Sequence, residues 1–334
     1  MENTVVYRLR FSAPLHLGTS GEGYERVESI LHSDTLFSAL ACVWPMIFDD
    51  PVEELFISPP FLVSSGFPFM GDQYFFPKPV GWDVAGTDDP ALAKAFKRVR
   101  HLSREVFEKV INGSSRELGL SDENIIGGGE FWSTGAVPGK IWDTRETPRV
   151  SLDRTTSRSE VFRYGELLFS PDAGLFILVR FLRDEIRGRF EAVLRLLGDE
   201  GIGGDKRVGK GLFSPEPDIH FKLDIPDSAG HAILLSLYRP TREEWEGFCR
   251  DGSARYTLVN RPGLVHGLAG TRYFRPAVRM MAEGSVLPVL DGPPVGDNPQ
   301  VLDQVAGNGQ PPHPVFRHGR AFIIPFRQGG ESNE

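Results

Sequence analysis

The segment Gly201-Ile202-Gly203-Gly204-Asp205-Lys206-Arg207-Val208-Gly209-Lys210-Gly211 constrains the fold more than any other stretch of the chain. Five glycines among eleven residues allow backbone angles that a β-carbon forbids, and they let other backbone come close. Upstream, Phe190, Val193, Leu194 and Leu197 share one face of residues 188–199 and predict a helix that Gly201 ends; the strand start Leu212-Phe213 follows. Residues 204–210 spell the GxxxxGK core of a P-loop, but Gly211 stands where that motif needs a magnesium-binding Ser or Thr. The context is also reversed, because a helix precedes the loop and a strand follows it. An NTP-using enzyme is therefore a weaker reading than a plain tight turn, or than a loop whose Lys206, Arg207 and Lys210 meet the backbone of an RNA.

The rest of the chain supplies elements around this loop. Val5-Val6-Tyr7-Arg8-Leu9-Arg10-Phe11 alternates as a strand, followed by Pro14-Leu15-His16-Leu17-Gly18. Ser33-Asp34-Thr35 offers N-cap oxygens ahead of Leu36, Phe37, Leu40, Val43, Trp44 and Ile47, which predict a helix that Pro45 kinks or ends. Residues 56–80 read as a hairpin around Gly71-Asp72, and the charged residues 89–110 as an exposed helix. Leu167-Leu168-Phe169 and Leu175-Phe176-Ile177-Leu178-Val179-Arg180-Phe181 read as a second strand pair. Strand, helix, strand pair, helix, Gly-rich loop and strand make the βαββαβ order of a ferredoxin-like unit with insertions, an α+β fold. A further α+β region restarts at Ala232, with a helix after Thr241 boxed by Glu244, a Pro- and Gly-rich loop over residues 284–314, and the closing strand Arg320-Ala321-Phe322-Ile323-Ile324-Pro325-Phe326. The domains are placed at 1–216, carrying an insertion at 127–164, and at 217–334.

With 334 residues, 40% hydrophobic and 25% charged, the chain can bury a sizeable core. Its two cysteines, Cys42 and Cys249, build neither a disulfide framework nor a zinc site, which points to a reducing cytoplasm. No apolar run approaches the ~18 residues of a membrane span, and the N-terminus lacks the pattern of a signal peptide. The net charge of −8 argues against coating nucleic acid over the whole surface. Residues 140–210 nevertheless hold 14 Lys plus Arg against 12 Asp plus Glu, a net of +2, which leaves −10 for the remainder. A phosphate responds to charges within a Debye length of ~8 Å, so a local anion site is compatible with the acidic total.

Residues 127–164 show little apolar periodicity and are too long for a routine connection, so a projecting hairpin is expected there. Arg145, Arg149, Arg154, Arg158 and Arg163 can each fork onto phosphate or stack on a base; the plainer reading pairs them with Glu146, Asp153 and Glu160. Trp82, Trp132 and Trp142 stand in polar, Gly-rich surroundings where one of them can meet a base or a protein, whereas Trp44 belongs to a helix face.

The Gly-rich loop, together with Pro14-Leu15-His16-Leu17-Gly18 and His32-Ser33-Asp34-Thr35-Leu36-Phe37, resembles the RAMP superfamily of CRISPR-associated proteins. Pro148-Arg149-Val150-Ser151-Leu152-Asp153-Arg154-Thr155, Glu283-Gly284-Ser285 and His313-Pro314-Val315-Phe316-Arg317-His318-Gly319 bring the resemblance nearer to the type III-A (Csm) effector subunits that cap the 5′ end of the CRISPR RNA. The resemblance implies two ferredoxin-like domains, a thumb-like β-hairpin and binding of the CRISPR RNA 5′ handle. It implies contact with the large polymerase-cyclase subunit and a backbone RAMP subunit, with no catalysis, no cofactor and no homo-oligomer.

RNA contacts are accordingly expected from His16, Ser33, Thr35, Arg145, Arg149, Arg154, Thr155, Arg158, Arg163, Gly203, Gly204, Lys206, Arg207 and Lys210. Ser33 and Thr35 enter because a helix start attracts phosphate, although capping without a ligand explains them equally well. The rival reading is a metal-independent CRISPR RNA-processing endoribonuclease using His16 and His32 for acid–base chemistry on a 2′-hydroxyl. No histidine pair has metal-ligand spacing beside a carboxylate, and His313 and His318 are read as structural.

Overall fold

Strand Thr4–Phe11 forms as its alternation predicts and lies inside the main sheet. The computed structural model describes residues 3–18, 23–82, 90–114, 118, 122–135, 139–153, 155–156, 158–266, 272–302 and 314–328. On one side Thr4–Phe11 pairs antiparallel with Ala173–Phe181, Tyr7 opposite Ile177, and on the other with Phe213–Asp218, Leu9 opposite Pro215. Ala173–Phe181 continues the sheet to Phe61–Val63 and to the hairpin Phe67–Met70/Gln73–Pro77, and the sheet runs on through His101–Ser103 and Phe131–Trp132 to Ile125–Ile126. Phe213–Asp218 is an edge strand with prolines at 215 and 217.

The apolar run Leu175-Phe176-Ile177-Leu178-Val179 is buried on both sides because it separates two cores. Leu175, Ile177 and Val179 face helices Ser33–Val43 and Arg187–Glu200, which bring Leu36, Phe37, Leu40, Phe190, Val193 and Leu194. Phe176 and Leu178 face a second core, where helices Pro90–Arg98 and Arg104–Ile111 meet Ile233, Leu235, Val286, Phe322 and Ile324 from the C-terminal third. The two parts of the chain therefore share one apolar interior.

Three sequence expectations are corrected here. Residues 89–110 are not one exposed helix: His101–Ser103 interrupts as a sheet strand, and Val106, Phe107, Val110 and Ile111 are buried behind the charged positions that masked them. Leu167-Leu168-Phe169 does not pair with Ala173–Phe181. It ends the ribbon Trp142–Leu152/Ser159–Phe169, whose register is unbroken from Trp142 opposite Phe169 to Leu152 opposite Ser159, and Phe67–Met70 takes the place beside Ala173–Phe181. Within the insertion, Phe131–Trp132 joins the main sheet. Trp132 is fully buried against Trp82 and Phe96, and Trp142 packs on Phe131 and Phe169, so these tryptophans are packing residues. At ~3.4 Å per residue the ribbon is roughly 35 Å long. Val150, Leu152 and Val161 on its outer part are exposed.

In the C-terminal part, Val286–Pro288, His231–Leu234 and Ile323–Phe326 form a three-stranded sheet, beside the ribbon Leu258–His266/Arg272–Met281. Helix Arg242–Asp251 starts with the expected capping box. Among the described residues no helix is long and apolar enough to cross a membrane.

The box supports a graded prediction. Thr241→Ala removes one cap acceptor and should cost about 1 kcal/mol. The Glu244 carboxylate additionally accepts from the Val295 and Gly296 N–H groups at 2.7 and 3.1 Å. Glu244→Ala should therefore lower the urea midpoint more than Thr241→Ala does; equal shifts would show that these two loop bonds contribute nothing.

Candidate nucleic-acid interface

The Gly-rich loop folds back on the segment after the first strand. The Ile202 N–H donates to the Gly211 carbonyl (3.0 Å), Gly211 N–H to Pro14 (2.9 Å) and Gly204 N–H to His16 (2.9 Å). Gly203 has φ 87°, and a β-carbon there would run into the His16 carbonyl; one on Gly204 would strike the Tyr164 hydroxyl and the His16 ring. These two glycines are thus required by close approach. Asp205, left-handed at φ 59°, opens the short turn Lys206–Val208. Lys206 and Arg207 are exposed on that turn and have no charged partner among the described residues, whereas Lys210 is drawn to Glu166 at 3.0 Å.

The ribbon packs against this loop. Residues directly opposite share a face, so Arg145, Thr147 and Arg149 lie with Phe162, Tyr164 and Glu166. Arg149 sits 4.1 Å over the Tyr164 ring, pairs with Asp205 and stands 3.7 Å from the buried Glu166. Tyr164 in turn stacks on His16 at 4.1 Å, and His16 Nδ1 donates to the Gly165 carbonyl at 2.7 Å. Burial, with Asp205 next, pushes the Tyr164 hydroxyl up and keeps it neutral.

Between the loop and the start of helix Ser33–Val43 lies a cleft of about 340 Å³, lined by His16, Gly18, Glu28, His32, Thr35, Gly203, Gly204, Lys206 and Arg261 among others. Its floor is ionic. His32 Nδ1 is 2.8 Å from Glu283, and Nε2 is 3.4 Å from Glu28. Burial alone would lower the imidazole, but the Glu283 charge and the bonds to both carboxylates push it up to about 10. Asp34, fully buried, meets Arg261 at 3.1 Å and Arg317 at 2.6 Å. Burial would raise its carboxyl; the two guanidinium groups outweigh burial and hold it well below the usual range. Arg317 also donates to the Arg261 and Pro262 carbonyls at 2.9 and 3.2 Å.

The expected site residues divide accordingly. Ser33-Asp34-Thr35 does not cap the helix: His32 holds the N-cap position without a side-chain bond, because Asp34 is occupied by arginines. The Ser33 hydroxyl is buried and accepts from Leu237 N–H at 3.0 Å, so it does not face the cleft. Thr35 lines the cleft and accepts from Arg261 at 3.0 Å. Arg145 and Arg158 are exposed without a charged partner among the described residues, while Arg163 pairs with Glu146 at 3.0 Å on the opposite ribbon face. Thr155 is exposed in a turn, its N–H donating to Asp153 at 2.8 Å; Arg154 and His313 lie outside the described residues. His318 is buried flat on Phe37 at 4.0 Å. Sequence reasoning missed Tyr24, Phe162, Tyr164, Glu166 and Arg261, which carry no local motif and reach the site through register and tertiary packing. Among the described residues no group of three or more His, Cys, Asp or Glu could hold a metal ion.

The RAMP superfamily matches residues 14–214, more than half of the chain. The chain belongs to the RAMP superfamily. This RAMP protein also matches the CRISPR Csm4 C-terminal domain over residues 227–326. The "CRISPR system Cms protein Csm4" of Thermococcus onnurineus is 29% identical over 270 residues, covering 77% of this chain and 82% of that one. Its namesake from Methanocaldococcus jannaschii is 21% identical over 153 residues, 41% of this chain and 39% of that one. Among solved structures, a chain of the Csm3-Csm4 subcomplex in the type III-A CRISPR-Cas interference complex has the same fold, with a TM-score of 0.63, 17% identity and coverage of 97% and 99%. A chain of the Csm1-Csm4 cassette in complex with pppApA gives 0.62, 20%, 98% and 99%. The ionic floor of the cleft joins the two matched regions, His32 and Asp34 from the first to Arg261, Glu283 and Arg317 from the second.

Asp34→Asn leaves two buried guanidinium groups under-compensated and should cost about 3–5 kcal/mol by urea unfolding. His32 has a raised pKa, so its contribution is complete below the unfolded value of ~6.5 and disappears as pH climbs through about 10. Between pH 7 and 10 the parent should therefore lose more stability than His32→Gln does. Parallel pH profiles would mean that the imidazole is neutral in the folded protein.

Proposed function

We propose that this chain is a non-catalytic scaffold subunit of a type III-A CRISPR effector complex, gripping the CRISPR RNA 5′ handle. The observation that carries the proposal is the Gly-rich loop: it is pinned by backbone bonds beside the cleft, and it exposes Lys206 and Arg207, which have no charged partner among the described residues, in an otherwise acidic protein. Phosphate contacts supply most affinity in such a site, and a few splayed bases supply identity. The ribbon Trp142–Leu152/Ser159–Phe169 is read as the thumb, with exposed Arg145 and Arg158 as further phosphate contacts. Residues 1–216 and 217–334 are read as two ferredoxin-like domains; the strand order Phe213–Asp218, Thr4–Phe11, Ala173–Phe181, Phe61–Val63 supports this for the first, and the three-stranded sheet with helix Arg242–Asp251 supports it for the second. The similar chains occur in a Csm1-Csm4 cassette and a Csm3-Csm4 subcomplex, and we infer the same two classes of neighbour here, in the cytoplasm and without self-association.

The endoribonuclease reading is weakened by geometry. His16 is buried, stacked on Tyr164 and fixed by its bond to the Gly165 carbonyl, and His32 stays charged between two carboxylates, so His32 is no free base near neutral pH.

Two measurements test the proposal. Lys206→Ala with Arg207→Ala should flatten the salt dependence of handle binding by roughly one to two phosphate equivalents. An unchanged slope removes the loop from the RNA site. Incubated alone with repeat RNA between pH 5 and 9 (roughly the range in which a histidine titrates), the protein should leave it intact. Scission that disappears in His16→Ala or His32→Ala would establish the nuclease instead.

A further inference from the structure

The ribbon face that meets the Gly-rich loop carries an aromatic group whose last ring is exposed. His16, Tyr164 and Phe162 are layered against the ribbon, and Tyr24 is the outermost member, 5.3 Å from Phe162 and 6.2 Å from Tyr164, nearly parallel to the latter at 24°. Tyr24 is 59% exposed although aromatic neighbours cover its inner side. It is held there by its backbone: the Gly165 N–H donates to the Tyr24 carbonyl at 2.8 Å, and a β-carbon on Gly165 would strike the Glu25 carbonyl. Gly165 is thus the position that lets segment 23–27 lie against the ribbon. Arg149, over Tyr164 and paired with Asp205, shares that ribbon face with Arg145, which is exposed and has no charged partner among the described residues.

An exposed aromatic ring fixed by backbone, backed by other rings and sharing its ribbon face with an exposed arginine fits one kind of occupant better than another protein's apolar side chain. We propose that Tyr24, backed by Phe162 and Tyr164, is the stacking platform for one unpaired nucleobase of single-stranded RNA. Every base offers a π-face, the ring loses little conformational freedom on binding, and Arg145 on the same ribbon face offers a phosphate contact. The inference rests on the RNA-binding reading above and adds to it the place where a base leaves the chain of phosphates. Stacking releases no counterions, so it is separable from the loop's contribution: Tyr24 sets affinity at fixed salt, while Lys206 and Arg207 set the slope against salt.

The test uses the full-length protein and handle RNA carrying 2-aminopurine at successive positions. In the parent, fluorescence at one position should be quenched. Tyr24→Ala should abolish that quench and weaken binding about ten-fold, with the salt slope unchanged, and Tyr24→Phe should restore both. If Tyr24→Ala changes neither quench nor affinity while Lys206→Ala with Arg207→Ala still flattens the slope, the platform is wrong and the RNA reading stands. If the parent does not bind the RNA, both fall. If Tyr24→Ala leaves RNA binding intact but weakens association with a large or backbone subunit, the ring is a protein contact and the proposal is overturned.

Discussion

Asp34 sits with no solvent exposure between Arg261 and Arg317, and two residues earlier His32 bridges Glu28 and Glu283. Charges buried this way are costly singly and tolerable only as a satisfied set. The set reaches from the first helix to the ribbon and closing segment of the C-terminal third, so the two regions are matched in charge as well as in shape. The apolar interior they share tolerates small slips between side chains; a bidentate guanidinium on a carboxylate does not. The ionic joint therefore fixes the relative placement of the parts, and with it the floor of the cleft.

The same pairing logic sorts the basic residues of a chain with net charge −8. Its basic residues fall into two populations. Arg149, Lys210, Arg261 and Arg317 are held by Asp205, Glu166 and Asp34, and serve as internal fasteners. Lys206, Arg207, Arg145 and Arg158 carry no such partner among the described residues and stay available. The first population ties the loop to the ribbon and the first helix to the C-terminal third, and the second extends from the elements so joined.

Much of this was legible in the sequence, and the failures share a cause. Periodicity located the opening strand and the helices Ser33–Val43 and Arg187–Glu200, the length and weak periodicity of residues 127–164 announced a hairpin, and Thr241 with Glu244 marked a helix start that the structure reproduces. Local pattern could place Gly203 and Gly204 in a tight loop but not name His16 and Tyr164 as the groups that require them. It read Ser33 and Asp34 as cap oxygens because their real partners, Leu237, Arg261 and Arg317, are far along the chain. Tyr24 was invisible for the same reason: nothing near it in sequence shows that Gly165 clears its way onto the ribbon.

The edge strand Phe213–Asp218 has a consequence for how the molecule can be extended. Prolines keep a ladder intact only where their missing N–H points away from it, so Pro215 and Pro217 must turn their nitrogens outward from Thr4–Phe11. Along that border the sheet has carbonyls and no matching donors, and a foreign strand laid beside it would find half of its bonds absent. Growth of the sheet is closed on this side by covalent structure, independent of concentration or salt. A neighbour on this side must then approach through side chains and loops, which makes this border an end of the β-layer.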